Sequence, residues 1–411
     1  MPDTHAAHPA AEVILTTCVI AGGGPAGLML AYLLARAGID VTVLEKHADF
    51  LRDFRGDTIH PSTLEVVHEL GLLDEFLKLP HQEARHLSGV IGDTGVRIAD
   101  FTHLPTRCKF IALMPQWDFL DFLAKQGARY PAFHLRMRTE ATGLIEAGGR
   151  VTGLRATTPA GPLAISADLV VGADGRHSVL RERAGLAVED FGAPIDVLWM
   201  RLSRRPSDGA EPLGRVGAGK VFVMIERGGY WQCAFVIPKG GYEEVRAKGL
   251  DAFRAAIVEV APAMRDRGGE LKSWDDIKLL TVKVDRLRQW YRPGLLCIGD
   301  AAHAMSPIGG VGINLAIQDA VAAANILAAP LRAGAVGTDE LAAVQRRRMF
   351  PTRATQWLQV QIQNRILRRV LASRANPAPP WPLRLVDRCP LLQRIPARLV
   401  GMGLRPEHVR I

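Results

Sequence analysis

Residues 13–45 read VILTTCVIAGGGPAGLMLAYLLARAGIDVTVLE and contain two strand patterns around one helix pattern. Val13–Ala21 is apolar and rich in β-branched residues, which predicts a buried strand. Leu28–Ala37 has the composition of a buried helix that ends at Gly38, and Asp40–Leu44 repeats the strand pattern. A strand, a helix and a strand within about 30 residues predict a βαβ unit and a parallel sheet.

The turn between the first strand and the helix matches G-x-G-x-x-G, with glycine at 22, 24 and 27. The first glycine permits a tight turn, the second lets a pyrophosphate approach the backbone, and the third lets the helix pack closely. The helix N-terminus offers free N–H groups to the phosphates. Glu45 ends the second strand 18 residues after Gly27, where an acidic residue binds ribose hydroxyls. The run therefore predicts a dinucleotide site.

Two later motifs also follow predicted strands. Residues 173–178, ADGRHS, come after the apolar run 169–171. Asp174 in this turn could approach a phosphate or a bridging water, or it could simply cap the next helix. Residues 299–314 read GDAAHAMSPIGGVGIN after the apolar run 295–298. Asp300 could accept hydrogen bonds from sugar-alcohol hydroxyls, and the small residues 309–312 would let a flat ring lie against the backbone.

The positive charge is concentrated at one end of the chain. The 411 residues carry a net charge of +9, whereas residues 341–411 alone hold 14 Arg against one Asp and one Glu, which gives +12. The remaining residues therefore sum to −3, which argues against nucleic-acid binding by the whole chain. We interpret the basic segment as a solvated helix face, with attraction to anionic lipid or to an acidic partner as the alternative.

Composition also excludes several classes of protein. With 48% hydrophobic residues the chain can bury a large core. No apolar run reaches the roughly 20 residues of a transmembrane helix, and the first residues lack the basic region of a secretory signal. Five cysteines without a C-x-x-C pair predict neither a disulfide framework nor a metal site, and indicate a cytoplasmic protein.

Taken together, GGGPAGL, ADGRHSVLR and GDAAHAMSPIGGVGINLAIQD occur in an order that resembles the FAD-dependent monooxygenases of the p-hydroxybenzoate hydroxylase type, class A. RGDTIHPSTLEVVHELGL is similar to the segment that follows the ribose-binding acid in that family. The resemblance implies an α/β fold, in which a Rossmann-like FAD-binding domain carries an inserted β-sheet substrate lobe and a C-terminal helical segment.

The resemblance also implies which residues hold the cofactor. The glycine turn would bind the FAD pyrophosphate, Glu45 the adenosine ribose, and Asp300 the ribityl and phosphate portion. Arg55 and Gln116 would contact phosphate or ribityl groups, and the loop at Pro307 would lie beside the flavin. The complete predicted set is Gly22, Gly24, Ala26, Gly27, Glu45, Lys46, Arg55, Gln116, Asp174, Asp300, Pro307, Gly312, Ile313 and Asn314.

The implied reaction needs few protein side chains. NADH or NADPH would reduce FAD, dioxygen would form a flavin C4a-hydroperoxide, and one oxygen would pass to a phenolic or polyketide-like ring. His60 is a candidate for handling substrate or protons, and an ordinary helix-start histidine is the alternative. Trp199, Phe222, Met224 and Trp231 are candidates for lining the substrate cavity, although aromatic residues at strand spacing also form cores.

Other functions stay open at this stage. Within the same fold, an epoxidase, a Baeyer–Villiger enzyme or a reductase would share the cofactor motifs. A membrane-surface or partner-binding protein with a vestigial flavin site is an alternative of another class, suggested by the basic tail. The sequence does not predict the oligomeric state.

The predicted organisation along the chain has six parts. They are a loose N-terminus (1–11), the FAD-binding domain (12–190) with a small hairpin at 86–101, the substrate lobe (191–277), completion of the FAD-binding domain (278–336), a long helix (337–373) and the basic tail (374–411). Ser62 and Glu65 are spaced as a capping box. The local patterns predict two short strands at 163–165 and 169–171, several antiparallel strands between 195 and 237, and a helix over 243–260. We expect the tail to pack on the FAD-binding domain and so to cover Leu391, Leu392, Ile395 and Val400.

Overall fold

The computed structural model describes residues 12–51, 58–208 and 213–411. The predicted loose N-terminus lies outside them. The strands are β1 Glu12–Ala21, β2 Val41–Leu44, β3 Thr58–Ile59, β4 Gln82–Ala84, β5 His86–Ile91, β6 Thr94–Asp100, β7 Ile111–Leu113, β8 Phe133–Arg136, β9 Glu140–Ala147, β10 Arg150–Thr158, β11 Gly161–Gly172, β12 Val188–Asp190, β13 Ile195–Ser203, β14 Gly214–Gly217, β15 Lys220–Glu226, β16 Tyr230–Pro238, β17 Lys278–Leu280, β18 Asp285–Leu287, β19 Tyr291–Arg292, β20 Leu295–Cys297 and β21 His303–Ala304. The helices are α1 Pro25–Arg36, α2 Pro61–Glu69, α3 Leu73–Phe76, α4 Gln116–Gly127, α5 Val179–Arg183, α6 Tyr242–Ala247, α7 Leu250–Val260, α8 Gly312–Arg332, α9 Thr338–Ile362, α10 Arg368–Ala372, α11 Trp381–Arg388 and α12 Pro390–Gly401.

The predicted βαβ unit forms the centre of the first sheet, whose order is β19-β20-β11-β1-β2-β8. The strands from β20 to β8 are parallel. Side chains of β1 alternate between two layers, as the period of a strand requires. Cys18 and Ile20 pack with α1 and α8, whereas Val19 and Ala21 pack with the hairpin β9–β10. The two short strands expected at 163–165 and 169–171 are one strand, β11.

Two helices dominate the first core. Every residue of α1 from Ala26 to Ala35 is buried, and α8 buries most of its length. Among the described residues, one helical stretch, Ile308–Arg332, is long and apolar enough to cross a membrane. Within it, 83% of an apolar 18-residue segment is buried inside the protein. Its apolar character is therefore explained by packing against α1.

The second sheet has the order β17-β13-β16-β15-β14-β5-β6. The antiparallel strands expected between 195 and 237 are present. The hairpin at 86–101 was assigned to the first domain, but β5 pairs with β14 and so extends the lobe sheet. The strand β17 likewise pairs with β13 rather than completing the first sheet. Which sheet β5 and β17 join is decided by long-range strand pairing, which the local sequence does not encode.

Two local predictions were wrong. The helix expected over 243–260 is two helices, because Gly249 adopts φ +88° between them. The capping box of Ser62 and Glu65 does not form. His60 is the N-cap of α2, and a carboxylate oxygen of Glu65 instead accepts a hydrogen bond from Arg107 N at 2.8 Å.

The C-terminal segment contacts both the lobe sheet and the FAD-binding domain. From α9 the chain stays helical through a π-helical turn at Gln363–Leu367 into α10, with Pro351 inside α9. Helices α11 and α12 then pack on β6, the edge strand of the lobe sheet. Leu392 and Val400 are half-buried. Leu391 and Ile395 stay 64% and 58% exposed, so the cover expected for these two is absent. The end of α12 and the last residues also reach the FAD-binding domain: Val400 O lies 2.7 Å from His60 Nδ1, and Val409 and Ile411 pack against its core.

Candidate active site

The candidate site lies where four parallel strands end at the same edge of the first sheet. Hydrogen bonds continue the ladder beyond the strands: Gly22 N donates to Leu44 O (2.8 Å), Ala173 N to Ala21 O (2.8 Å) and Ile298 N to Gly172 O (3.0 Å). The glycine turn, Glu45, Asp174 and Asp300 therefore follow adjacent strand ends. In an open parallel sheet, the crevice at the carboxyl ends of the strands is where ligands bind.

The three glycines of the turn have different surroundings. Gly22 has φ +107°, and a Cβ on it would lie 2.3 Å from Ala173 O. A Cβ on Gly27 would lie 2.0 Å from Gly22 O, so any larger residue would push α1 away from the turn. A Cβ on Gly24 would meet no protein atom within 4 Å. The protein itself thus requires glycine at 22 and 27, whereas Gly24 borders open space at the start of α1.

Glu45 is fixed beside this turn. One carboxylate oxygen accepts from Gly23 N at 3.1 Å and the other from His47 N at 3.0 Å. Lys46 is exposed next to it, and Gln116 begins α4 with a half-buried side chain. Within the described part of the chain, neither Lys46 nor Gln116 forms a hydrogen bond or ion pair with the glycine turn, so their roles stay predictions. Arg55 lies outside the described residues.

One carboxylate oxygen of Asp174 caps the following helix, and the other is left without a protein partner among the residues that the structure describes. Its Oδ2 accepts from Leu180 N at 3.2 Å, as a helix-capping aspartate would. Its Oδ1 is buried and has no hydrogen-bond partner within the described part of the chain. Burial raises the pKa of Asp174, partly offset by its hydrogen bonds. Arg176 of the same motif pairs with Asp300 Oδ2 at 3.4 Å, which joins the second and third motifs.

Asp300 occupies a narrow turn between two helices. Gly299 has φ +59°, and a Cβ on it would lie 3.1 Å from Ala26 Cβ and 3.4 Å from Ala316 Cβ. The turn is therefore close to the N-terminal ends of both α1 and α8. Gly299 N donates to Asp319 Oδ2 at 3.1 Å, so a buried carboxylate on α8 holds the turn from below.

Asp319 is the centre of a buried charged network that sequence reasoning missed. Its carboxylate also binds His303 Nε2 at 2.6 Å and Arg348 Nε at 2.9 Å. Arg348 continues to Glu407 at 3.2 Å near the C-terminus. Burial alone would raise the pKa of Asp319, but His303 and Arg348 outweigh it and hold that pKa below its usual range. The network joins the Asp300 turn, α8, α9 and the C-terminal segment.

The loop after the Asp300 turn is held from the side of β3. Gly310 has φ +62°, a Cβ on it would lie 2.4 Å from Thr58 Oγ1, and that hydroxyl donates to Gly310 O at 3.1 Å. Asn314 Oδ1 accepts from His60 N (3.1 Å) and Thr63 Oγ1 (2.6 Å). The Asn314 side chain is therefore engaged in tying α8 to α2. Its backbone, with that of Gly312 and Ile313, forms the first turn of α8.

His60 lies buried against this loop. Its Nδ1 is 2.7 Å from Val400 O; because a carbonyl only accepts, Nδ1 carries the proton. Nε2 is buried and lacks a hydrogen-bond partner among the described residues, and a Cβ on Gly310 would lie 3.5 Å from it. Burial lowers the pKa of His60 to about 4, although the Val400 hydrogen bond opposes this. At neutral pH, His60 is a neutral ring with a free acceptor directed at the loop.

A row of buried glutamines on α9 and the π-helical turn holds the loop from the opposite side. Gln359 Oε1 accepts from Ser306 N (3.1 Å), while its Nε2 donates to Ser306 O (3.0 Å) and Ile308 O (2.9 Å). Gln363 Nε2 donates to Ser306 Oγ at 2.5 Å, and Gln356 Nε2 donates to Ala304 O at 3.1 Å. Spacings of three and four place the glutamines on one helix face. The sequence signal that could have revealed them is the repeat of glutamine at positions 356, 359 and 363, on one face of a helix.

Three of the four residues predicted to line the substrate cavity lie in the core. Phe222, Met224 and Trp231 are at most 1% exposed and pack between the lobe sheet and α7. Trp199 lies on the opposite face, where it packs with Val223. The alternation of strand side chains separates the two sets, and sequence alone did not show which face α7 covers.

The residues present fit FAD. A G-x-G turn with open space at Gly24, a carboxylate fixed at the end of β2, and a second turn at Asp300 lie along one sheet edge. Two buried polar atoms, Asp174 Oδ1 and His60 Nε2, have no protein partner in the described ranges. Such atoms are expected where a ligand or an ordered water completes the hydrogen bonding. These residues could bind a dinucleotide along its length, with the pyrophosphate at the glycine turn and the flavin ring near the Asp300 turn.

Comparison with known proteins gives the same cofactor. Residues 15–358 match a family described as an FAD binding domain. The chain is 34% identical to the 6-methylpretetramide 4-monooxygenase of Streptomyces rimosus over 412 residues, which cover 98% of this chain and 96% of that protein. It is 31% identical to the 12-dehydrotetracycline 5-monooxygenase/anhydrotetracycline 6-monooxygenase of the same species, covering 74% of this chain and 60% of that longer protein.

Solved structures show the same fold. The p-nitrophenol 4-monooxygenase PnpA of Pseudomonas putida superposes with a TM-score of 0.75 at 20% identity, covering 96% of this chain and 100% of that one. The OxyS anhydrotetracycline hydroxylase of Streptomyces rimosus gives 0.70 at 24% identity, covering 94% and 76%.

Substitution of two glycines should separate folding from cofactor binding. Gly27→Ala places a Cβ against the Gly22 carbonyl, so we expect a loss of stability of about 1–3 kcal/mol and a lower melting temperature. Gly24→Ala meets no protein atom, so the apoprotein should fold normally, while its dissociation constant for FAD rises at least tenfold because the methyl group occupies the phosphate approach. Flavin fluorescence titration of both variants tests this. Wild-type FAD affinity in Gly24→Ala would refute it.

His60 should make stability depend on pH. The unfolded chain takes up a proton near pH 6.5, whereas folded His60 does so only near pH 4. Stability from neutral His60 is thus present above pH 6.5 and declines by about 3 kcal/mol as the pH falls to 4. Urea unfolding at several pH values should show a shallower decline in His60→Gln than in the wild type. Parallel curves would contradict the buried neutral ring.

Gln359 should affect the flavin rather than only the fold. Gln359→Leu leaves the backbone groups of Ser306 and Ile308 without partners, so we expect the FAD dissociation constant to rise about tenfold and more NAD(P)H to be diverted to hydrogen peroxide. Gln345→Leu is the matched control, since Gln345 on the same helix binds Trp290 N and Arg288 O in the same way, away from the loop. Equal changes in FAD affinity in both variants would make Gln359 a structural residue only.

Proposed function

Since this chain belongs to the FAD binding domain family and is an FAD-dependent monooxygenase of class A, we propose that it hydroxylates a polycyclic aromatic polyketide. The overall reaction consumes the aromatic C–H compound, dioxygen, NAD(P)H and a proton. It yields the hydroxylated ring, water and NAD(P)+. Bound FAD would accept a hydride from the nicotinamide and activate dioxygen, which is chemistry that belongs to the cofactor.

The chain supplies binding and orientation. The first turn of α1 would hold the pyrophosphate with its free N–H groups, and Glu45 would bind the adenosine ribose. The Asp300 turn would bind the ribityl portion, and the loop from Pro307 to the first turn of α8 would lie along the isoalloxazine. A helix N-terminus stabilises negative charge, which suits a ring that becomes anionic on reduction.

An apolar surface of the lobe sheet adjoins this loop. Trp199 and Val223 are partly buried on the sheet face opposite α7, in a cluster with Leu113 and Val400. Leu113 pairs with Thr58, two residues before His60, and Val400 accepts the His60 hydrogen bond. This surface supports a flat, apolar substrate that lies between the sheet and the cofactor.

We assign His60 to orienting the substrate rather than to removing its proton. A group whose conjugate acid has a pKa of about 4 is too weak a base to deprotonate a phenol near neutral pH. Its free Nε2 can still accept a hydrogen bond from a phenolic hydroxyl. This would fix which ring carbon faces the flavin.

The choice of substrate class depends on one observation, the nearly full-length similarity to the 6-methylpretetramide 4-monooxygenase. The chain spans only about 60% of the other tetracycline-pathway relative, so that protein's activity is weaker support. A further relative, the rifampicin monooxygenase of Streptomyces venezuelae, is 29% identical to this chain. Its name also points to a large aromatic polyketide as the substrate.

The other candidates have less support. An epoxidase, a Baeyer–Villiger enzyme or a reductase is not favoured by these relatives, and a vestigial flavin site does not explain the open Gly24 turn and the placed Glu45. Free thiols, with four of the five cysteines buried, support a cytoplasmic setting.

The test uses 6-methylpretetramide and, as a small phenol, p-nitrophenol. We expect the polycyclic compound to stimulate NAD(P)H oxidation by the FAD-bound enzyme at least tenfold more than the small one, and one 18O atom from labelled dioxygen to appear in a phenolic product. Stimulation by p-nitrophenol alone would refute the substrate class. Turnover with a reduced, unlabelled product would refute hydroxylation itself.

A further inference from the structure

The two tail helices carry the same eight-residue pattern. Residues 381–388 read WPLRLVDR and residues 391–398 read LLQRIPAR, so each has a large apolar residue, an arginine, a second apolar residue and a second arginine at positions 1, 4, 5 and 8. On a helix these positions lie along one stripe. We call this stripe on both helices the tail face, and it consists of Trp381, Arg384, Leu385, Arg388, Leu391, Arg394, Ile395 and Arg398.

The inner sides of both helices are already explained by the fold. Asp387 accepts from Arg97 N of the edge strand β6 at 2.7 Å. Gln393 donates to Val386 O at 3.2 Å and to Asp387 O at 3.0 Å, which locks α12 onto α11. Ala397 is fully buried in the cluster beneath α12. Covering a sheet edge needs only these inner contacts, and because both helices pack on β6, the tail face points away from it.

The tail face itself is exposed. Trp381, Leu385, Leu391 and Ile395 have relative exposures of 70%, 51%, 64% and 58%, and the four arginines are exposed as well. Contiguous exposed apolar side chains on a folded protein mark an interaction site more often than scattered ones do.

No acidic residue of the C-terminal region offsets these arginines. Residues 341–411 contain only two acids, Asp387 and Glu407. Asp387 is bound to β6, and Glu407 is 5% exposed and paired with Arg347 and Arg348. The outward charge is therefore positive, which disfavours a second copy of this face and favours a negatively charged partner.

We propose that the tail face docks the enzyme onto an anionic phospholipid surface. A tryptophan and three aliphatic side chains would enter the headgroup boundary, and the arginines would reach lipid phosphates while their stems lie on the apolar layer. The cytoplasmic leaflet carries the required negative potential. The site goes beyond the proposed function, because it concerns where the enzyme lies and not what it oxidises.

The experiment is co-sedimentation of the full-length, FAD-bound protein with vesicles. Phosphatidylcholine vesicles that contain phosphatidylglycerol are compared with pure phosphatidylcholine, at low and at high NaCl. One variant replaces the four arginines with Gln, and another combines Trp381→Ser with Leu391→Ser. Trp357→Ser is the matched control, since Trp357 is 65% exposed on α9. Deleting the tail is unsuitable, because Glu407 would be lost from the buried network.

We expect binding to anionic vesicles only, weakened by salt, and reduced at least tenfold in both tail variants while Trp357→Ser binds normally. Flavin absorbance and melting temperature should be unchanged in all three variants. Several results would overturn the proposal: no sedimentation with either vesicle, equal binding to pure phosphatidylcholine, or an equal loss in Trp357→Ser. Retention on poly-L-glutamate without vesicle binding would assign the face to an acidic protein, and dimerisation lost in the tail variants would assign it to a second copy.

Discussion

The buried carboxylate of Asp319 is the interaction on which the candidate site depends most. It receives the backbone N–H of Gly299, the ring of His303 and the guanidinium of Arg348, so one side chain joins the Asp300 turn to α8 and α9. Through Arg348 and Glu407 it also joins the C-terminus. A buried charge is tolerated only when it is paired on all sides, which explains why elements distant in sequence meet at this point.

Around that centre, the loop after the Asp300 turn is held by hydrogen bonds from several directions. Thr58 approaches it from β3, His60 from the start of α2, Asn314 from α8, and Gln359 from α9. A flavin enzyme needs its ring, its substrate and its backbone donors to keep fixed relative positions. Gly309, Gly310 and Gly312 give the backbone of this loop extra conformational freedom. The polar residues from three helices and one strand restrict that freedom.

The lobe sheet shows why aromatic residues are poor predictors of a ligand cavity. Phe222 and Trp199 both lie on strands of one sheet, yet Phe222 contributes to the core beneath α7 and Trp199 packs in a separate cluster on the opposite face. A strand directs alternate side chains to opposite faces. Which face is covered depends on where a distant helix packs. The same dependence on long-range pairing placed the hairpin β5–β6 in the lobe sheet.

The sequence by itself determined the parallel βαβ unit, the glycine turn, Glu45 and the order of the three motifs, because strand period, helix capping and glycine requirements are local properties. It did not reveal Asp319, Gln359, the free Nε2 of His60 or the outward direction of Trp381 and Leu391. Each of these depends on which segments far apart in the chain come into contact. Burial, the pairing of charges and the choice of an exposed face are decided only when the sheets and the C-terminal helices have packed together.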